Sequence, residues 1–332
     1  MASSRSPADR PGLDGVAERR FDMFVIGDVG IEVRATLPDI RFADVHADRL
    51  TYAPARAIVA GTAVNLARCA TRYFRRVGVL GKVGDDDFTP AIRRELLRIG
   101  ADDHLRVEPG VPNGVSVMLR DRPAPAAGAG AGKGVRLLVV QEEPPGRRLT
   151  AAEVRSAAAG IEAADVLVTD GYSLLSPVSG EALRTAARIA RDAGTRVAFD
   201  LVPHDADARL PAEEIVPMLA LADLVISEAP TLARLLGSAA SAHGAHGVRE
   251  LLPVLDRAVP GRPLWLLRFG DTSLEHALAY RRDGLLMEYP TGYGAGVERA
   301  GFGDRLAAAE LYWWLSGGAS ASGAADVAPR SA

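Results

Sequence analysis

The segment DVLVTDGYSLLSPVSGEALRTAARIARDAGTRVAFD, residues 165–200, decides the fold. It opens on an apolar run, breaks at Asp170-Gly171, and continues as SGEALRTAARIARDAG, where small and apolar residues recur at helical spacing until Gly194. A second apolar run, RVAFD, follows. Apolar strands separated by an amphipathic helix belong to a parallel sheet covered by helices on both faces.

The alternation continues on either side. Upstream lies the helix pattern TAAEVRSAAAGIEAA; downstream, PAEEIVPMLALA precedes the strand DLVISEAP, and GVRELLPVLDRAV precedes PLWLLRFG. Nearer the start come the strand FDMFVIGDVG, the helix AGTAVNLARCATRY, the strand and loop VGVLGKVGDDDF, and the helix TPAIRRELLRIG. That last helix has Pro90 in its first turn and Gly100 past its end. ALAYRRDGLLMEYP reads as a hairpin around Asp283-Gly284. GVSVMLRD and GVRLLVVQ form a second hairpin around the low-complexity tip RPAPAAGAGAGKG. Together with the mixed region 31–54, the stretch 114–141 makes a small strand insertion in one α/β domain spanning 21–318. Residues 1–20 and 319–332, rich in Pro, Ser, Gly and charge, read as disordered tails.

Composition excludes several functions. The 332 residues are 48% apolar, with 39 Lys and Arg against 42 Asp and Glu, a formal charge of -3. That balance suits a packed globule and offers no field for nucleic acid or an anionic membrane. No long uncharged apolar run suggests a membrane span. One cysteine, Cys69, rules out an internal disulfide and fits the cytoplasm; it reads as a buried small apolar residue. The six histidines, at 46, 104, 204, 243, 246 and 276, show no metal-ligand spacing. GAGAGKG lacks the spacing and the Ser or Thr of a P-loop, VIGDVG lacks the third glycine of a dinucleotide fingerprint, and Gly-x-Ser-x-Gly is absent.

The positive chemical signal is AGFGD, residues 300–304, at the start of the helical run RLAAAELYWWLSG. A helix N-terminus has unpaired amides and partial positive charge, and glycines let an anion approach the backbone. An acid beside a bound phosphate is repelled by it, so Asp304 makes sense as a base for an attacking hydroxyl. The competing reading makes Asp304 a helix cap.

Four elements in order resemble the ribokinase-like (PfkB) family of carbohydrate and nucleoside kinases, over roughly residues 22–318. AGTAVNLA, residues 60–67, resembles the signature Gly-Gly-x-x-x-Asn-x-Ala. GKVGDDDF is similar to Gly-Lys-x-Gly-x-Asp-x-Phe. ADLVISEAPTLARLLG stands where the family carries Asn-x-x-Glu. AGFGD resembles Thr-Gly-Ala-Gly-Asp.

The resemblance implies a three-layer α/β/α sandwich with a mostly parallel central sheet and a small β-lid, here about 31–54 and 114–141. It implies transfer of the γ-phosphoryl group of ATP, with Mg2+, to a hydroxyl of a sugar or sugar-like substrate. Asp304 falls on the family's general base, and the amides of Gly301, Phe302 and Gly303 on its anion hole. Substrate contacts fall on Asp28, Glu32, Gly61 and Asn65, although Glu32 also reads as a lid surface charge and Asn65 as a local cap. Nucleotide contacts fall on Arg268, Gly270, Asp271 and Glu228, with Glu228 as an indirect Mg2+ ligand. Lys82 is expected to pair with an acid, Asp85 to brace a loop, and Arg305 to form a surface ion pair or meet a phosphate. Tyr52 and Tyr172 read either as faces for a substrate ring or, more commonly, as core or lid packing. The family also suggests a homodimer through the lid.

The sequence departs from the family at Ala300 and Phe302, at Glu298, at Ser273 where a glycine is usual, and at Glu228-Ala229-Pro230-Thr231 in place of Asn-x-x-Glu. These departures keep two rivals open: a nucleoside kinase, and a catalytically impaired kinase fold serving binding or regulation.

Overall fold

The computed structural model of the chain describes residues 12–16, 18–121, 135–201, 206–294, 297 and 300–317. Glu298, the expected hairpin tip and most of both expected tails lie outside the described residues. The strands are β1 (Asp22–Ile26), β2 (Gly30–Thr36), β3 (Ala55–Ala60), β4 (Arg76–Leu80), β5 (Lys82–Val83), β6 (Asp102–Asp103), β7 (Arg106–Val107), β8 (Val115–Arg120), β9 (Arg136–Val140), β10 (Val166–Asp170), β11 (Arg196–Asp200), β12 (Leu224–Glu228), β13 (Leu264–Phe269), β14 (His276–Arg281) and β15 (Leu285–Pro290). The helices are α1 (Thr62–Ala70), α2 (Thr89–Ile99), α3 (Ala151–Arg155), α4 (Ala158–Ala163), α5 (Pro177–Ala193), α6 (Ala206–Arg209), α7 (Ala212–Leu219), α8 (Ala229–Leu235), α9 (Ala245–Ala258) and α10 (Phe302–Leu315).

A nine-stranded sheet runs in the order β15-β14-β13-β12-β11-β10-β1-β4-β6. It is parallel from β13 to β6 and antiparallel only at β13–β14 and β14–β15. Side chains alternate between two cores, as the strand period requires. Phe24, Ile26, Leu167, Val197 and Phe199 enter one core, with α5, α8 and α9. Met23, Val25, Val168, Ala198 and Ile226 enter the other, with α1 and α10. Burial on both faces explains the uninterrupted apolar strand runs.

The deciding segment folds as its residues dictate. Ser176 Oγ accepts the Val178 amide at 3.3 Å, Pro177 opens α5, and Gly194 closes it at φ 76. Ala182, Leu183, Ala186, Ala187 and Ala190 form its buried stripe. Burying a side chain such as Leu183 stabilises by about 2 kcal/mol.

The chain leaves β1 on one side for β4 and on the other for β10, so the β1/β10 junction is a topological switch point, where ligands bind at the carboxyl ends of such strands. Over those ends lies a second sheet, β3-β2-β8-β9, the expected lid. Its strand β3 runs through 55–60, beyond the expected 31–54 segment, because the mixed sequence there gives no clean alternation.

Several local expectations change. The helix read across 150–164 breaks into α3 and α4, and α8 was not separated from the strand before it. Of the first twenty residues, Leu13 and Val16 pack on the core, and Gly12 and Glu18 carbonyls accept bonds from Tyr73 and Tyr312 hydroxyls at 3.0 and 2.7 Å. Lys82 pairs with Glu153 at 3.1 Å and Glu108 at 3.6 Å. The loop brace is Asp86, which accepts from the Asn113 and Phe88 amides at 2.8 and 2.9 Å, while Asp85 is exposed. Cys69 is only partly buried against the core, and desolvation pushes its thiol up to about 11. Tyr52 packs nowhere, at 84% exposed.

Candidate active site

A cavity of about 300 Å3 opens between the carboxyl ends of the central strands and the lid. Asp28, Glu32, Gly61, Asn65, Glu228, Arg268, Gly301, Gly303 and Asp304 all line it. These residues are scattered over nearly the whole sequence, and β1, β2, α1, β12, β13 and α10 bring them to one wall.

At one end is the start of α10. Gly301 takes φ 75, a conformation costly for any residue with a Cβ, and turns the chain into the helix. The first intrahelical bond runs from Arg305 N–H to Gly301 C=O at 3.1 Å, so the amides of Gly301, Phe302 and Gly303 precede the ladder. Asp304 lines the cavity on this turn. Burial raises its carboxyl above the ordinary range, and the charges of Arg268, Arg68 and Arg34 pull it partly back.

Phe302, where the family usually has alanine, adds no bulk to the cavity. Its ring is 2% exposed, packs with Leu274 and Leu306, and meets Tyr293 edge-on at 5.0 Å. Only its amide can serve an anion. The Arg305 guanidinium lies 5.2 Å over the same ring and forms no ion pair with a described residue.

Arg268 stands behind this turn. Its Nη2 donates to Glu310 Oε2 at 2.7 Å, and the Tyr289 hydroxyl donates to Glu310 Oε1 at 2.8 Å. Glu310 is fully buried, two turns along α10 from Asp304. Burial opposes the Arg268 charge, but Glu310 and Asp200 outweigh it and hold the guanidinium protonated above its usual range. A Cβ on Gly303 would lie 3.6 Å from Arg268 Nη1, and Arg268 Nε has no partner among the described residues. A buried cation therefore faces the helix start where an anion would sit.

On the same cavity, Asn65 Oδ1 accepts from Arg68 Nη1 at 2.9 Å, which leaves its Nδ2 as the donor for a ligand and removes the cap reading. Gly61 is φ 106, and a Cβ there would fall 2.2 Å from the Asp28 carbonyl oxygen, so only glycine fits. The Asp28 amide donates to Thr62 Oγ1 at 3.1 Å, and that hydroxyl donates to Asp170, which also takes the Ser173 amide at 3.0 Å. Burial and then the neighbouring Asp170 raise the Asp28 carboxyl to about 7. Glu32 pairs with Arg34 and is no surface charge.

Gly270 and Asp271 do not reach this cavity. They form the turn after β13, with Asp271 exposed, closed by Ser273 N–H to Gly270 C=O at 3.2 Å. Ser273 sits at φ 59, the left-handed conformation that a glycine would take at ease. Asp200, Arg34, Arg120 and Arg136 line the cavity and were not foreseen, and Tyr172 lines it instead of packing away. Asp200 ends β11 as Glu228 ends β12, and position at the carboxyl end of a parallel strand was a readable signal. The lid arginines depend on strand register, which the sequence did not reveal. Asp200 and Glu228 are hard oxygen donors of the kind Mg2+ accepts. No cluster of three or more metal-binding side chains exists among the described residues, so a Mg2+ here would draw most of its shell from water and phosphate oxygens.

Residues 22–257 match the pfkB family carbohydrate kinase, and Asp304 lies beyond the matched stretch. The chain belongs to the pfkB family, and with it to the carbohydrate kinases, phosphotransferases with an alcohol group as acceptor. No curated protein matches. Among solved structures, the fold is similar to a putative ribokinase II from E. coli in complex with ATP and Mg2+ at 16% identity, covering 90% of this chain and 87% of that one with a TM-score of 0.68. It is similar to adenosine kinase from Sinorhizobium meliloti at 19% identity, covering 90% and 88% with a TM-score of 0.68. Arabidopsis thaliana ribokinase complexed with ribose and ATP is 14% identical, with 90% and 86% covered and a TM-score of 0.67.

Proposed function

We propose that this chain transfers the γ-phosphoryl group of ATP to a hydroxyl of a small sugar or sugar-like alcohol, with Asp304 as general base. The observation that carries the reading is a partly buried carboxyl, held above its ordinary range, on a glycine-started helix turn in the wall of a cavity that Asp28, Glu32 and Asn65 also line. In this scheme the acceptor hydroxyl passes its proton to Asp304 as its oxygen meets phosphorus. The amides of Gly301, Phe302 and Gly303 take up charge on the transferring group, and Arg268 balances it from behind. The lid keeps water from competing as acceptor. Mg2+, when bound with the nucleotide, neutralises phosphate charge; Asp200 and Glu228, both on the cavity wall, are the residues that would hold its waters.

A sugar is favoured over a nucleoside because Tyr172 is the one aromatic residue on the wall among the described residues, and a single ring cannot sandwich a base. No described helix is long and apolar enough to cross a membrane, and the lone cysteine suits a cytoplasmic protein. The outer lid face aligns Val33, Val117 and Val139, with Leu119 opposite Leu137, and Leu137 and Val139 are about half exposed. That apolar face supports a homodimer through the lid. The test of function is ADP release on a panel of sugars, polyols and nucleosides. Asp304→Asn should lower kcat by about 10²–10⁴-fold; turnover of nucleosides alone would overturn the sugar reading.

A further inference from the structure

In the turn Gly301-Phe302-Gly303 the one side chain is the ring of Phe302. Glycine leaves the backbone free to rotate, so that ring is what fixes the direction of the three amides. It is buried in a small cluster with Leu274 and Leu306, and Tyr293, Val297 and Leu13 pack against that cluster. Leu13 belongs to the segment before β1. Its Cδ1 lies 3.5 Å from where a Cβ on Gly292 would stand, so it also bears on the loop that holds Tyr293.

This segment is tied down along α10. Gly12 C=O accepts from the Tyr73 hydroxyl at 3.0 Å, Val16 N–H donates to Arg72 C=O at 3.3 Å, and Glu18 C=O accepts from the Tyr312 hydroxyl at 2.7 Å. Arg19 Nη1 donates to Thr71 C=O at 2.8 Å. From Phe302 to Tyr312 a helix rises about 15 Å. From Leu13 to Glu18 a chain reaches at most about 17 Å, enough to cover that distance. With Leu13 at the first turn of α10 and Glu18 at the last, the segment runs beside the helix, and Leu13 and Val16 pack on the core beneath.

We propose that the segment before β1 is a strap, and that its Leu13 is a positioning residue for phosphoryl transfer: it closes the Phe302 cluster from outside and so holds the Gly301–Gly303 amides and Asp304 in their working direction. The proposal rests on the kinase reading for what the turn does; that the strap holds the turn is a separate claim about structure. A helix start flanked by two glycines opens readily without such a brace, and a displacement of about 1 Å slows catalysis by up to about 10²-fold.

The test reads structure and turnover separately on the full chain. Hydrogen exchange is followed at the Arg305 amide, whose bond to Gly301 C=O begins the α10 ladder. Leu13→Ala should speed that exchange about 10-fold and lower kcat about 10-fold on the best acceptor of the panel, with acceptor KM within about 2-fold. Leu13→Met, which keeps volume and reach, should restore both. Ile161→Val, a loss of packing in the core on the other face of the sheet, should change neither. In a Phe302→Ala background Leu13→Ala should add nothing, since the ring through which it acts is gone. Unchanged exchange at Arg305 in Leu13→Ala, an equal change in Ile161→Val, or a kcat indifferent to Leu13→Ala would each overturn the proposal. ADP release indifferent to Leu13 would leave the kinase reading and remove the positioning role. Exchange at Arg305 that follows Leu13 in a protein that releases ADP on no acceptor would keep the strap and remove the kinase reading.

Discussion

At the scale of single residues, the site is built from groups whose chemistry depends on burial. Arg268, Glu310 and Tyr289 form a dry network whose open side meets Gly303. Removing one partner of a buried ion pair leaves the other charge stranded, at about 3–5 kcal/mol. Glu310→Gln, which keeps an acceptor for one of the two bonds and turns the other oxygen into an NH2 donor, should lose stability of that order or less in urea unfolding. It should also lower kcat with little change in acceptor KM, because Arg268 would drift from the anion seat; an unchanged kcat would remove Glu310 as a positioning residue. Asp28 offers a pH test. Its folded pKa of about 7 lies above the unfolded value of about 3.9. The native state therefore binds the extra proton, and the carboxyl's contribution to stability falls as pH rises from about 4 to 7. Asp28→Asn should be the more stable protein at pH 8, with the difference fading towards pH 4. That Gly301 and Asp304 share a helix start was legible in the local sequence, and Asn65 came only through the family signature. Asp200 and the lid arginines were not, since a charged residue on a strand says nothing of its neighbours until register is known.

At the scale of elements, two features invite measurement. The turn after β13 holds Ser273 at φ 59 where a glycine would be unstrained. Ser273→Gly should raise stability by up to about 1 kcal/mol, the left-handed cost of a residue with a Cβ less the entropy lost by glycine. A drop in urea midpoint would show that the serine side chain earns its place. The lid's outer face, Val33, Val117, Val139, Leu119 and Leu137, behaves as an interface in this account. Leu137→Glu together with Val139→Glu should shift sedimentation from dimer to monomer; a wild-type monomer at micromolar concentration would remove the dimer. The helix–strand alternation was legible because both sheet faces are buried and the apolar runs are continuous. Strand β3 and the break between α3 and α4 were not. A strand half open to solvent has weak periodicity, and Ser156-Ala157 carry no breaker such as proline or glycine.

At the scale of the whole molecule, a parallel sheet with a switch point beside β1 gathers residues from 28 to 304 at one mouth, and the lid covers it. The family follows from that organisation and from the matched residues 22–257; the acceptor, in this account, depends on the side chains that line the cavity. The sequence could disclose the first because helix caps and strand runs are local. The second depends on neighbours across strands, which exist only once elements such as β8 and β9 meet. The most direct test of the central claim is single-turnover phosphoryl transfer from ATP by the intact chain and by Asp304→Asn, with the best acceptor of the panel. The account predicts transfer slowed by about 10²–10⁴-fold with acceptor Kd nearly unchanged. Equal rates in the two proteins would contradict it.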